Sequence, residues 1–457
     1  MLVAPSSKAS LIGIDRKFHI TKRCAMDQKG PQAALSVTST QWAELGGTPV
    51  TLITLQHSEG SYARFTDYGA RLVALGVPDR NGNTIDVVTG YDTLEGYLTG
   101  ARFFGANVGP FANRIRDARF TIDGIEYRFK PNGGTHLLHS GLRGLDSVLW
   151  KTTAIQDGLQ YTYQSPDGEF GFPGPVDYSI RYKLLPGPTL SIEYTAVPQK
   201  ATHLNIAHHS YFNLAGHNAG TIADHMIQIY ADKHLEVDED FIPTGKMLTV
   251  QGTPLDLRDP TLIADRLTSD FGTLRACGGF DQCFVINYAE PTMAEGLKPC
   301  ARVTSPATGI AMEIHSSYPG LQFYTANHDL PPALGKGGAV YRKHGSFCLE
   351  PQFFPNSPNI AQFPSTLVRP GEVYRQNVEF RFSAGLTPCV RSAACYCSMQ
   401  YNDNALPQFS SVPTPLKMTV GACTPALPHE PLNAPLSVQL LQLLPESCQS
   451  ELSPVQT

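Results

Sequence analysis

Between Arg119 and Phe129 the chain reads RFTIDGIEYRF, with Phe120 and Ile122 alternating up to Asp123-Gly124 and Ile125, Tyr127 and Phe129 alternating beyond it. A period of two places the apolar side chains of a strand on one face. An Asp-Gly pair between two such runs is a strong hairpin signal, because a type I′ turn needs positive φ at both central residues. The pattern recurs in Tyr178, Ile180, Tyr182 and Leu184, then a Pro186-Gly187-Pro188 turn, then Leu190, Ile192 and Tyr194. A last run is Val378, Phe380 and Phe382. Long helical periodicity is nearly absent. The expectation is an all-β fold, most simply one large antiparallel sandwich of some 330 residues. The 40 Gly and 36 Pro of the 457 residues are the turn residues such a fold consumes.

The patterned region runs over residues 49–382. Residues 1–48 are weakly patterned and read as an N-terminal extension. The last 75 residues, 383–457, hold ten prolines, five cysteines and six charged groups, which reads as a disordered Pro/Cys-rich tail. The length alone suggests about three domains, a prior that large β sandwiches often break.

Charged residues make up 16% of the chain and the net charge is -5. This excludes the basic footprint of a nucleic-acid partner. No apolar run is long enough for a membrane helix. No CxxC pair occurs, so neither a zinc ribbon nor a thioredoxin-type site is indicated, and Cys277, Cys283, Cys300 and Cys348 read as isolated buried thiols. Without a signal-peptide core or an Asn-x-Ser/Thr acceptor, the expected location is cytoplasmic. A monomer is favoured.

Several residues can carry chemistry: Arg114 in ANRIR, His139 in LLHSG, His208 and His209 in HHSYFNLAGH, Asp281 in GGFDQ and Glu350 in CLEPQFFPNSPN. Each also has an ordinary structural reading, as a satisfied histidine, a strand-ending carboxylate or a paired arginine. His136, His139, His208 and His209 form a conceivable metal set, but ligands at i and i+3 need a helix and Gly133-Gly134 argues for a turn. Neither GxSxG nor GxGxxG occurs. Histidines, carboxylates and an arginine in loops and at strand ends suit proton transfer on a polar, uncharged ligand, of which sugars are the obvious class.

Several blocks in register extend this reading: VPDRNGN near residue 77, GANVGPFANRI, LLHSG, AHHSYFNLAGH, DEDFIPTGKML with TPLDLRDP, GGFDQCFVI, LQFYTAN and LEPQFFPNSPN. Their order and content resemble the aldose 1-epimerase (galactose mutarotase) family over roughly residues 49–382. The resemblance implies a β supersandwich whose cleft binds a free aldohexose and interconverts its α and β anomers, with no metal or organic cofactor. It implies His209 as general acid and Glu350 as general base. Arg114, Asn113, His139, Asp281 and Gln322 become the sugar-positioning set, while Phe212 and Phe353 read better as core than as sugar platforms. Two rival readings are a 1-epimerase of phosphorylated hexose, which should cluster Arg and Lys at the cleft, and a sugar-binding protein without catalysis. Pro110, His208, Gln282 and Asn356 depart from residues common in the family, and His208 adds a potentially charged neighbour to His209.

Overall fold

The computed structural model describes residues 35–287, 296–328 and 333–385. Three antiparallel sheets carry most of the strands. The largest has nine strands in the order Lys151–Ile155, Gly158–Ser165, Val176–Leu185, Thr189–Pro198, Tyr374–Ala384, Ile310–Ser316, Lys298–Thr304, Met226–Ile229 and Thr261–Leu262. The alternation read from the sequence is what this sheet uses. Tyr178, Ile180, Tyr182 and Leu184 pair across to the strand of Leu190, Ile192 and Tyr194, and all seven are buried. Val378, Phe380 and Phe382 complete the same buried face. The Asp-Gly hairpin forms as expected: Ile122 faces Ile125 in register, with Asp123 at φ 49° and Gly124 at φ 82°.

A five-stranded sheet at the N-terminal side runs through Leu35–Leu45, Thr48–His57, Tyr62–Thr66, Arg71–Pro78 and Thr84–Asp86. Its inward residues pack on the large sheet, as where Phe65 meets the Tyr182 ring at 4.5 Å between centroids. Strand Leu35–Leu45 falls inside the stretch set apart as an extension. It is largely exposed and irregular in register between Gln41 and Ala43, so it lacks the alternation that marks a half-buried strand. The Pro/Cys-rich segment lies, from residue 386 on, outside the described residues.

The second five-stranded sheet has the order Pro243–Thr249, Lys233–Val237, Asp281–Val285, Gly320–Tyr324 and Cys348–Gln352. One contiguous apolar cluster joins all three sheets, from Ile53 and Phe65 through Ile180 and Tyr194 to Phe284, Phe323 and Leu349. Helices are short, the longest covering six residues, and none among the described residues can cross a membrane. Cys283, Cys300 and Cys348 are buried free thiols, as expected, whereas Cys277 ends a short helix and is only half-buried.

Candidate active site

The last three strands of the second five-stranded sheet lie side by side, with Gln322 opposite both Cys283 and Glu350, and Tyr324 opposite both Asp281 and Cys348. Residues directly opposite share a face, and so do residues two apart along a strand. One face therefore collects Asp281, Gln322, Tyr324, Cys348 and Glu350, while Phe284, Leu321, Phe323 and Leu349 point to the apolar core. Gln322 Nε2 donates to Asp281 Oδ1 at 2.6 Å, and the Arg114 guanidinium meets Asp281 Oδ2 at 3.4 Å.

Arg114 comes from the opposite side, on a two-residue strand pairing Arg114–Ile115 with Leu137–Leu138. The turns beside it are left-handed, with Asn113 at φ 66°, His139 at φ 48° and Ser140 at φ 65°. Asn and His are among the residue types that tolerate this region best. The Asn113 N–H donates to His139 Nδ1 at 3.1 Å, the His139 N–H returns to the Asn113 carbonyl at 3.0 Å, and Asn113 Oδ1 accepts from the Arg114 N–H. Because Nδ1 accepts, the neutral His139 carries its proton on Nε2. Burial, with the nearby His209 and Arg114, holds its pKa well below the usual histidine value.

His209 ends the strand Ala207–His209, which pairs with Ala106–Val108. Its ring lies nearly parallel to those of Phe103 and Tyr211, at 5.6 and 5.0 Å between centroids. Its Nε2 is 3.6 Å from Glu350 Oε1 and its Nδ1 is 3.6 Å from Cys348 Sγ. Burial pushes the His209 pKa down to about 4. It pushes Glu350 well above the usual carboxylate range, with Asp281 adding to the rise and Arg114 opposing it. Glu350 Oε2 has no hydrogen-bond partner among the described residues, a state costing roughly 1–3 kcal/mol unless a ligand completes it.

All seven residues expected at the site, Asn113, Arg114, His139, His209, Asp281, Gln322 and Glu350, line one cleft of about 250 Å³. Phe103, Tyr211 and Tyr324 also line it and were not foreseen. The fully buried Arg71 fixes the Phe103 loop by donating to the carbonyls of Arg102 and Phe104, a long-range device with no local sequence signal. Phe212 belongs to the core, and the half-buried Phe353 packs against it.

The four departures lie off the cleft. His208, on the opposite face of its strand, reaches Ser210 Oγ at 2.7 Å and packs edge-on against Tyr182. Burial lowers its pKa to about 3, so it places no charge beside His209, contrary to expectation. Gln282 turns away to donate to the Leu235 carbonyl at 2.6 Å. The buried Pro110 accepts from the Asn205 N–H. Asn356 braces the arginine wall, its N–H bonding the Arg114 carbonyl at 2.8 Å and its Oδ1 accepting from the Arg116 N–H at 3.0 Å.

The four histidines considered for a metal are not gathered. His136 Nδ1 accepts from the Asp117 N–H, and His208 faces the core. Among the described residues, His209, Cys348 and Glu350 do bring ligand atoms within 4.8 Å of one another. The thiol and the carboxylate, however, face different nitrogens of the ring.

Fold and cleft together define a mutarotase-like β supersandwich with a buried histidine–glutamate pair in a polar pocket. The aldose 1-epimerase family profile matches residues 51–381. A galactose mutarotase of Rattus norvegicus is 42% identical over 351 residues, 76% of this chain and 99% of that protein. The Escherichia coli aldose 1-epimerase is 33% identical, over 74% and 96% of the two chains. Among solved structures, an aldose epimerase homologue from C. elegans superposes with a TM-score of 0.65 at 30% identity, covering 72% of this chain and 97% of that one. The chain belongs to the aldose 1-epimerase family.

Proposed function

We propose that this protein is a cofactor-independent aldose 1-epimerase, an isomerase acting on free hexoses such as galactose or glucose, with Glu350 as base and His209 as acid. The observation that carries the reading is the buried pair itself: a carboxylate and an imidazole 3.6 Å apart, with pKa values displaced in opposite directions.

Anomer exchange needs two proton movements at two oxygens bonded to one carbon, so acid and base must stand close together. Glu350 takes the proton of the anomeric hydroxyl as its C–O bond becomes a carbonyl. The bond from the anomeric carbon to the ring oxygen breaks, and that oxygen takes its electron pair and a proton from His209 Nε2. After rotation about the bond between the first two carbons, the ring oxygen attacks the other face. His209 recovers its proton and Glu350 returns the other, so nothing is consumed. The pair holds one exchangeable proton: burial keeps it on Glu350 in the free protein, it passes to His209 Nε2, 3.6 Å away, as the sugar's oxygens engage the pair, and ring opening then returns a proton to Glu350. Asp281, Arg114, Gln322, Asn113 and His139 orient the sugar by hydrogen bonds, supplying position rather than proton transfer.

Arg114 is the one cation among the described residues lining the cleft, and it is paired with Asp281. That favours a neutral hexose over a phosphorylated one. A cytoplasmic setting and a monomeric enzyme accompany the proposal. Polarimetry on freshly dissolved α-galactose or α-glucose, with and without protein, tests it. Accelerated approach to rotational equilibrium is expected, and no acceleration over buffer for any common aldose overturns it.

A further inference from the structure

Cys348 is a buried nucleophilic group that the acid–base scheme leaves without a task. Alternation puts it beside Glu350, two residues earlier on the same strand and on the same face, so one strand presents a carboxylate to one nitrogen of His209 and a sulfur to the other. We infer that Cys348 is a positioning residue whose Sγ accepts a hydrogen bond from His209 Nδ1–H, keeping that proton in place and leaving Nε2 as the exchanging nitrogen.

The inference rests on the proposed role of His209, and the chemistry demands such a device. An imidazole that gives and regains a proton at Nε2 must keep its other proton on Nδ1 throughout, since giving up the Nε2 proton without it would leave an imidazolate. Which nitrogen holds the proton is set by the partner of the other one. Sulfur is a weak acceptor, but Cys348 is fully buried, so no bulk solvent competes for Nδ1. Turning the ring over to exchange its nitrogens would have to displace the nearly parallel rings of Phe103 and Tyr211, whose centroids lie 5.6 and 5.0 Å away. Burial also raises the thiol pKa well above its usual value, so the group stays an uncharged thiol and does not trap His209 as an imidazolium. The buried thiol thus serves where a carboxylate partner would hold the acid's proton too tightly.

Nitrogen-15 NMR of the histidine side chains, with the His209 signals identified by their loss in His209→Asn, reads the tautomer in the unaltered protein. A protonated Nδ1 and a bare Nε2 at neutral pH are expected; a proton on Nε2 with Nδ1 bare overturns the inference whether or not the protein is active. Cys348→Ala is expected to mix the two tautomers and lower kcat about tenfold with KM little changed, the equivalent of one neutral hydrogen bond. Cys348→Ser, which restores an acceptor, is expected to recover the tautomer and most of the rate. An alanine variant with wild-type tautomer and rate, or a serine variant no better than alanine in both readouts, assigns Cys348 to packing alone. A wild-type protein silent in polarimetry but with the expected tautomer removes the proposed function and leaves the geometry of the pair intact.

Discussion

The two walls of the cleft are built on different principles. The sheet wall, with Asp281, Gln322 and Glu350, is held by register across three paired strands. The opposite wall, with Asn113, Arg114 and His139, rests on a two-residue strand pair, left-handed turns and a short chain of backbone-to-side-chain bonds. His209 stands between them. The contrast teaches where precision comes from in each case. On the sheet it is inherited from many remote hydrogen bonds, and on the loop side from a few local ones, so single substitutions should cost orientation most on the loop side and chemistry most on the sheet side.

The largest effect is expected at the reacting pair. Glu350→Gln and His209→Asn should each lower kcat by roughly 10²–10⁴-fold, the usual contribution of a positioned proton donor or acceptor. Calorimetry should still detect sugar binding in both variants, and near-wild-type turnover in either would mean that its role is misassigned.

On the loop wall, Asn113→Ala should raise KM about tenfold while kcat changes little, since alanine at this φ costs roughly 1–2 kcal/mol and loses the bond to the Arg114 N–H. Asn113→Gly accommodates the backbone but not that bond, so its KM should fall between the two. Equal KM values for all three proteins would show that the turn does not set the wall.

Acid should separate the walls from the pair between them. With His209 displaced to about 4, a second proton reaches the His209–Glu350 pair only near that pH. The rate constant kcat/KM should therefore hold through pH 5 to 7 and fall near pH 4. A fall already centred at pH 6.5 would mean that burial does not depress His209.

The smallest effect concerns His208. His208→Asn should leave turnover within about twofold and appear in stability instead. A histidine near 3 when folded and about 6.5 when unfolded binds its proton mainly in the unfolded chain, so stability is lost as pH falls from 6.5 towards 3. Each such group contributes at most ~1.4 kcal/mol per pH unit, and the asparagine variant should show a correspondingly shallower loss in thermal melts between pH 6.5 and 4. An unchanged slope would show that His208 is already protonated in the folded state.

Much of this was written locally in the chain. The hairpin at Asp123-Gly124 and the strands of Tyr178–Leu184 and Leu190–Tyr194 were readable because a buried face and a polar face alternate. Arg114, His139, His209, Asp281 and Glu350 were readable because each sits in a block of characteristic neighbours. Phe103 was not, since its place depends on Arg71, some thirty residues away and buried in another sheet. Cys348 was visible only as a buried thiol, because its meaning depends on which His209 nitrogen it meets across 139 positions of sequence. Strand Leu35–Leu45 escaped because an exposed edge needs no apolar rhythm.

The adjacent histidines carry a consequence for how this protein can change over time. His208 and His209 differ only in the parity of their positions on one strand, yet one faces the core and the other the sugar pocket. Inserting a single residue just upstream would carry His208 into the pocket position, and deleting one would put Ser210 there and turn His209 to the core. Substitution can therefore explore this segment one letter at a time, while a change in its length is tolerated only where a loop or bulge absorbs it before the strand.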